Sequence, residues 1–248
     1  MRLRIPKPIH GWRGFAGEVG IIVVGVLLAL GAQQVAEWLS VRQRADDSSA
    51  ALRAEVSDHA IYANEIEIVA PCIRVQAEAI ENRLKAGKSN PAPRFSEDGF
   101  KAYYTVRIPD RPWPSSGWDA VRSEDALRQV DPAFAQEMYK YYAQLTWMLA
   151  DNRSAVDLAA TLNSLSVLMP RDEGDRLRYI DAAEKLIDTT SKMALVAGQL
   201  RDRLAKTGLL PIDQYLKQEL TESGTIKFCR AHGLPLATPR PADPKEAE

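Results

Sequence analysis

An uncharged stretch of 18 residues, Val19 to Ala36, constrains this chain more than any other feature. As an α-helix it is about 27 Å long, close to the ~30 Å hydrocarbon core of a bilayer. Trp12 and Trp38 flank it, 26 positions apart. On a helix that is about 39 Å, near the ~40 Å between the headgroup layers in which Trp prefers to sit. Glu18 falls at the boundary of the run, where a carboxylate costs less than the ~2.5–3.5 kcal/mol of a charge at the membrane centre. A buried core helix is rarely so uniformly apolar and needs no basic flank. A cleavable signal peptide ends on small residues, which Ala29-Leu30-Gly31 supplies, but here the apolar character continues through Ala32, Val35 and Ala36. We read residues 15–38 as a transmembrane helix that stays in the membrane. The cleaved signal peptide and the soluble core helix are the alternatives.

Charge sets the expected orientation. Arg2, Arg4, Lys7 and Arg13 precede the span with no acid among them, whereas Arg42 and Arg44 are soon followed by Asp46 and Asp47. The positive-inside rule makes residues 1–14 a cytoplasmic basic segment and puts everything beyond Trp38 outside the cytoplasm. The lipid bilayer is the first expected partner, with the C-terminal domain on its non-cytoplasmic side. The whole chain carries a net charge of −1, so it lacks the basic excess or stripe that nucleic acid requires. The two cysteines, Cys72 and Cys229, read as one disulfide in an oxidising compartment. Two buried thiols are the alternative. Cys229-Arg-Ala-His232 lacks the second cysteine pair of a zinc site, and we expect neither metal nor cofactor.

Within the span, Gly25, Ala29, Ala32 and Ala36 recur at spacings of 4, 3 and 4, on one helix face with Glu18. Small residues let two membrane helices approach closely, so a homo-oligomer through the transmembrane helix is a candidate assembly. Gln33 and Gln34 are placed to hydrogen-bond across such a pair. The same stretch resembles the span of a large family of uncharacterised single-pass bacterial membrane proteins, which reads roughly G-E-I-x-L-V-V-x-G-I-L-I-A-L-Q-I-N-N-W. Gly17-Glu18 matches the opening pair, Gly25, Ala29 and Leu30 match inner positions, and Gln33-Gln34 stands where that family has paired amides. Gly31 and Val35 depart from the pattern. A second stretch, Ser115 to Tyr142, is similar to the family's S-S-G-x-L…L-x-x-Y-Y segment. The resemblance implies a single-pass topology in the bacterial inner membrane, with the C-terminal domain in the periplasm, and supplies no catalytic residue.

Beyond the span the periodicity is helical. Leu52, Val56, His59, Ala63, Ile66, Ala70, Ile73, Ala77, Ile80 and Leu84 follow 4-3 spacings and form a heptad seam. Pro71 interrupts this helix and is expected to bend it near Ala70, and Gly87 caps its end. Residues 88–117 are rich in proline and aromatics. They exclude a long helix and read as a packed cover, with a short helix after Ser96 that has Glu97 and Asp98 in its first turn. Asp131-Pro132 starts a helix with Phe134, Met138, Tyr141, Leu145, Met148, Asn152, Ala155, Ala159 and Leu162 on one face. A further helix spans about Arg171 to Lys206, with Tyr179, Ala183, Leu186, Thr190, Met193, Ala197, Leu200 and Leu204 facing inward and Gly208 closing it. A shorter one runs from Ile212 to Thr221, with Gly224 after it. The proline-rich stretch 235–248 reads as a disordered tail. The expected fold is all-α: one N-terminal transmembrane helix, then an antiparallel bundle of three or four long helices over residues 39–234.

No catalytic motif stands out. Gly87-Lys88-Ser89 lacks the earlier glycine and the preceding strand of a phosphate loop. Asp119, Glu124, Asp125 and Asp131 cluster by the aromatic segment, where most such acids cap helices or face solvent. His59, with Glu55 four residues before it, offers at most two metal ligands and reads better as a buried histidine paired with a carboxylate. Catalytic residues are not identifiable; His59 and Asp119 are the weak candidates. The favoured reading is a membrane-tethered periplasmic interaction or scaffold module with an envelope protein partner. The alternatives are a membrane-anchored hydrolase-like enzyme with its site near the aromatic connection, and a ligand-sensing bundle without its own output domain.

Overall fold

The structure, a computed structural model, describes residues 12–87, 95–96, 103–122, 127–128, 130–209 and 213–238. Regular structure among them is helical, apart from one two-residue antiparallel ladder that pairs β1 (Phe95–Ser96) with β2 (Tyr103–Tyr104). The short helix expected after Ser96 falls outside the described residues, as do the basic residues before position 12, the side chain of Trp12, Glu124 and Asp125.

Helix α1 (Trp12–Lys85) runs for 74 residues, a length of about 111 Å at 1.5 Å per residue. It is the one described helix long and apolar enough to cross a membrane, and none of its most apolar window is buried in the protein. Its second half is the opposite. Leu52, Val56, His59, Ala63, Ile66, Ile73, Ala77, Ile80 and Leu84 are all buried, and Ala70 is half-buried. The buried surface is wider than the seam, because Ala60, Ile61, Asn64, Glu65, Ile68, Val69 and Cys72 are buried as well. Around Glu65 the helix is covered on a second side, by the irregular segment after β2 and by the C-terminal helices.

Helix α2 (Ser116–Val121) is short, and α3 (Pro132–Asn163) and α4 (Glu173–Thr207) are long. The start of α3 is built as its sequence demands: the Asp131 carboxylate accepts from the amides of Ala133 (2.6 Å) and Phe134 (3.1 Å), and Pro132 occupies the first turn. A 3₁₀ turn at Ser164–Ser166 ends it. Asp172 caps α4 through the Asp175 amide, and Gly208, at φ +68°, closes it in the left-handed conformation. The inward faces expected of both helices are buried, with Phe134 half-buried. Arg203 late in α4 reaches Gln144 of α3 (2.8 Å), while Tyr179 early in α4 meets Ser164 at the end of α3 (3.1 Å). Likewise Arg201 reaches Asn64 of α1 (3.1 Å), and Glu184 reaches Lys85 (3.1 Å).

The C-terminal region departs from expectation. After α5 (Asp213–Glu222), Gly224 does not end the helical structure but begins α6 (Gly224–Ala231), whose first turn is capped by Ser223 Oγ accepting from Ile226 N. Residues 235–238, assigned to a disordered tail, follow α1 instead: Leu236 packs on the core, and the Ala237 amide donates to the carbonyl of Ile68 at 2.8 Å. Residues 239–248 lie outside the described residues. The Ile68 carbonyl lies in the turn of α1 that precedes Pro71. α1 continues through Pro71, which has no N–H to donate and whose ring crowds the preceding turn. The C-terminal segment supplies a donor to that turn from outside the helix. Next to it, Cys72 and Cys229 are joined in a disulfide, Cα atoms 6.1 Å apart.

Candidate functional site

The segment from Thr105 to Val121 lies along α1 with little secondary structure of its own, so its backbone groups need partners from elsewhere. Polar side chains of α1 and α3 supply them. Asn163 Oδ1, at the end of α3, accepts from the amides of Thr105 (2.8 Å) and Val106 (3.0 Å). Gln76 Oε1 accepts from Arg107 N (2.8 Å). Glu65, 1% exposed, takes a two-pronged ion pair from Arg111 at 2.6 and 3.1 Å and also accepts the Ser223 hydroxyl. Glu55 accepts from Gly117 N (2.7 Å), Trp118 N (3.3 Å), Ser116 Oγ (3.3 Å) and the Tyr142 hydroxyl. Ser115 makes no side-chain cap for α2, and the carboxylate of a different helix does that work. A buried arginine, Arg201, is held by Glu67 (3.0 Å) and Asn64 in the same way.

His59 is wholly buried, in an aromatic cage. Its Nδ1 lies 3.0 Å from the Tyr141 hydroxyl, and its ring centroid lies 5.3 Å from Trp113 and 6.3 Å from Tyr142. Burial drives its pKa down from 6.5 to about 4, weakly opposed by the Pro114 carbonyl. That carbonyl does not meet hydrogen-bond geometry, and His59 Nε2 and Trp113 Nε1 have no hydrogen-bond partner among the described residues. The imidazole is therefore neutral near pH 7. Desolvation, with the Glu55 charge added, raises the pKa of both Tyr141 and Tyr142, so both hydroxyls keep their protons.

The two weak site candidates are not brought together. His59 is interior, whereas Asp119 lies on the exposed side of α2, accepting from Ser115 Oγ (3.0 Å) and 3.8 Å from Arg122. Among the described residues no group of three or more His, Cys, Asp and Glu is arranged to hold a metal ion. Gly25, Ala29, Ala32 and Ala36 stand exposed on the apolar part of α1. Trp38 is exposed at its end, with the Arg42 guanidinium 5.5 Å over its ring.

A cleft of about 520 Å³ opens between the irregular segment, α3 and the start of α6. Val106, Ile108, Pro109, Val156, Ala159 and Ala160 give it apolar walls; Tyr104, Arg107, Asp110, Arg111, Asn163 and Thr225 give it polar ones. Sequence reasoning missed it, along with Glu65, Gln76 and Arg111. Their partners lie 31 to 158 positions away, and no spacing encodes such pairings. Comparison with family models, with characterised proteins and with solved structures gives no match to this chain.

Proposed function

We propose that this protein is a membrane-tethered helical interaction module, held by residues 15–38 in the bacterial inner membrane with residues 39–234 in the periplasm. The observation that carries the reading is the contrast within one helix. The front of α1 is apolar and exposed, and from Leu52 on the same unbroken helix is built into the core. An exposed apolar rod of this length is stable in lipid and a liability in water. The basic flank, the disulfide and the likeness to single-pass bacterial membrane proteins support the same orientation. In this reading the soluble part is an antiparallel bundle of three long helices, with the proline-rich segment as a packed cover, and the small-residue face of the span pairs with a second copy. An envelope protein is the expected partner.

A second reading, a ligand-sensing bundle, is favoured by the cleft. A hydrolase built on His59 and Asp119 has no assembled site.

The test is fractionation of cells expressing the C-terminally tagged full chain. The expected result is retention of the protein in membranes through alkaline carbonate extraction, with the tag digested by protease added from the periplasmic side. Release by carbonate removes the tether, and a protected tag reverses the orientation. Crosslinking of the same sample, followed by mass spectrometry, separates self-association from capture of an envelope partner.

A further inference from the structure

We propose that Pro112-Trp113-Pro114 is a flap that opens on its own, Trp113 leaving the aromatic cage around His59 while the helices stay folded. The inference is independent of both the membrane tether and the cleft.

Trp113 is the one buried residue between Arg111 and Gly117. It is 5% exposed, whereas Pro112, Pro114, Ser115 and Ser116 are all on the surface. Its indole lies against two rings of α1, 5.3 Å from His59 at 43° and 5.6 Å from Tyr62 at 81°. The chain on either side is clamped. Arg111 pairs with Glu65 at 2.6 Å. The Ser115 carbonyl accepts from Asp119 N at 2.8 Å, in the turn whose Gly117 and Trp118 amides Glu55 holds. The three residues between the clamps have no such tie. Among the described residues no hydrogen bond joins Pro112, Trp113 or Pro114 to another element. Two of the three are prolines, with no N–H to offer. The packing of one indole is what holds the flap down.

Two polar atoms oppose that packing. His59 Nε2 and Trp113 Nε1 are both buried without a hydrogen-bond partner. A polar group closed off from water and left unpaired is costly. When the indole swings out, water reaches both atoms. Opening restores two hydrogen bonds at the expense of one ring's burial, and it breaks neither clamp.

Acid tilts the same balance. In the closed cage burial holds the His59 pKa at about 4, against 6.5 for a ring that water reaches. The groups around the ring do not offset a charge on it. Tyr141 and Tyr142 of α3 keep their protons, and Glu55 of α1 is taken by Tyr142 and the α2 amides. Asp119 of α2 is exposed, and the flap itself brings only Trp113 and the uncharged Pro114 carbonyl. The imidazolium is therefore accommodated in the open form, and the opening constant rises about thirtyfold from pH 8 to pH 5.

The test is hydrogen exchange of the tryptophan indoles, followed by NMR on the full chain in lipid nanodiscs. Trp113 is assigned by the signal lost in Trp113→Phe. The expected result is a Trp113 indole N–H less protected than the amides of α4, at a rate that low urea leaves unchanged, because a local opening exposes little surface. Against a free indole at the same pH, its protection falls about thirtyfold from pH 8 to pH 5. In His59→Gln that fall is absent. Protection equal to that of α4, with the same steep urea dependence, overturns the flap: Trp113 then leaves only when the bundle unfolds. A separate opening with equal protection at both pH values overturns the part given to His59. The urea dependence of wild type decides the flap even where His59→Gln does not fold.

Discussion

At the scale of single residues, the structure depends on polar side chains that would be costly if left alone. His59 is the sharpest case. A histidine without a water-facing atom stays neutral, and its folded pKa of about 4 lies below the 6.5 of an exposed imidazole. The unfolded chain then binds a proton at higher pH than the folded one. Stability from this group is full above about pH 6.5 and falls as pH drops toward about 4, where the loss levels off. The loss is roughly 2 kcal/mol at pH 5 and about 3 kcal/mol below pH 4. Urea unfolding of wild type and His59→Gln at pH 8 and pH 5 measures it. Wild type should lose more stability between the two values than the variant by roughly 2 kcal/mol. Equal losses would mean that the ring is hydrated in the folded state. Glu55 and Glu65 work differently, each offering both oxygens to several donors, so neither is a lone buried charge.

At the scale of elements, the short helix α2 is held by what it touches. Six residues cannot nucleate a stable helix alone. Glu55 caps it, Trp118 stacks on Tyr142 at 5.5 Å and 5°, and Gly117 lies directly on the α1 backbone. A Cβ at position 117 would come within 3.0 Å of Ala51 O and of Leu52 N and Cα. Backbone atoms cannot swing aside as a side-chain tip can. Gly117→Ala should therefore destabilise the protein by about 1–3 kcal/mol, read as a lower denaturation midpoint. Its mark should be local, with faster hydrogen exchange at Trp118 and in the Glu55 turn of α1. An unchanged midpoint would mean that α2 is not docked this closely. The glycine is visible in the sequence as part of Ser115-Ser116-Gly117, but its reason is α1, more than 60 positions earlier.

At the scale of the whole molecule, the disulfide joins residues 157 positions apart and fixes α6 and the strap after it to the proline turn of α1. Constraining so long a loop in the unfolded chain is worth roughly 4–5 kcal/mol on the chain-entropy account. Cys229→Ser, or dithiothreitol on wild type, should lower stability by an amount of that order. Hydrogen exchange should rise first at the Ala237 amide and in α6, and α3 should be the last to follow. Loss of stability spread evenly over all helices would show instead that the C-terminal region is not a separate layer.

The long helices and most of their caps were legible in the amino-acid sequence. A 3.6-residue period, Asp131-Pro132 and Gly208 are local signals, and each acts through its own neighbours in the chain, whereas the Asp172 cap of α4 came only with the structure. Equally legible was that one stretch of α1 is long and apolar enough to cross a membrane, because hydropathy and length are properties of the residues alone. Tertiary packing covered α1 on a second side around Glu65, began a helix at Gly224, and tied the segment after it to α1 through Ala237 and Ile68. It also gave buried His59 the Tyr141 hydroxyl as its partner in place of the carboxylate expected of the seam, left Asp119 outside, and opened a cleft between Arg107, Asp110 and the start of α6. The reason is the same in each case. These outcomes follow from satisfying backbone and charged groups of one segment with side chains from a distant one, and no local period or spacing records that pairing.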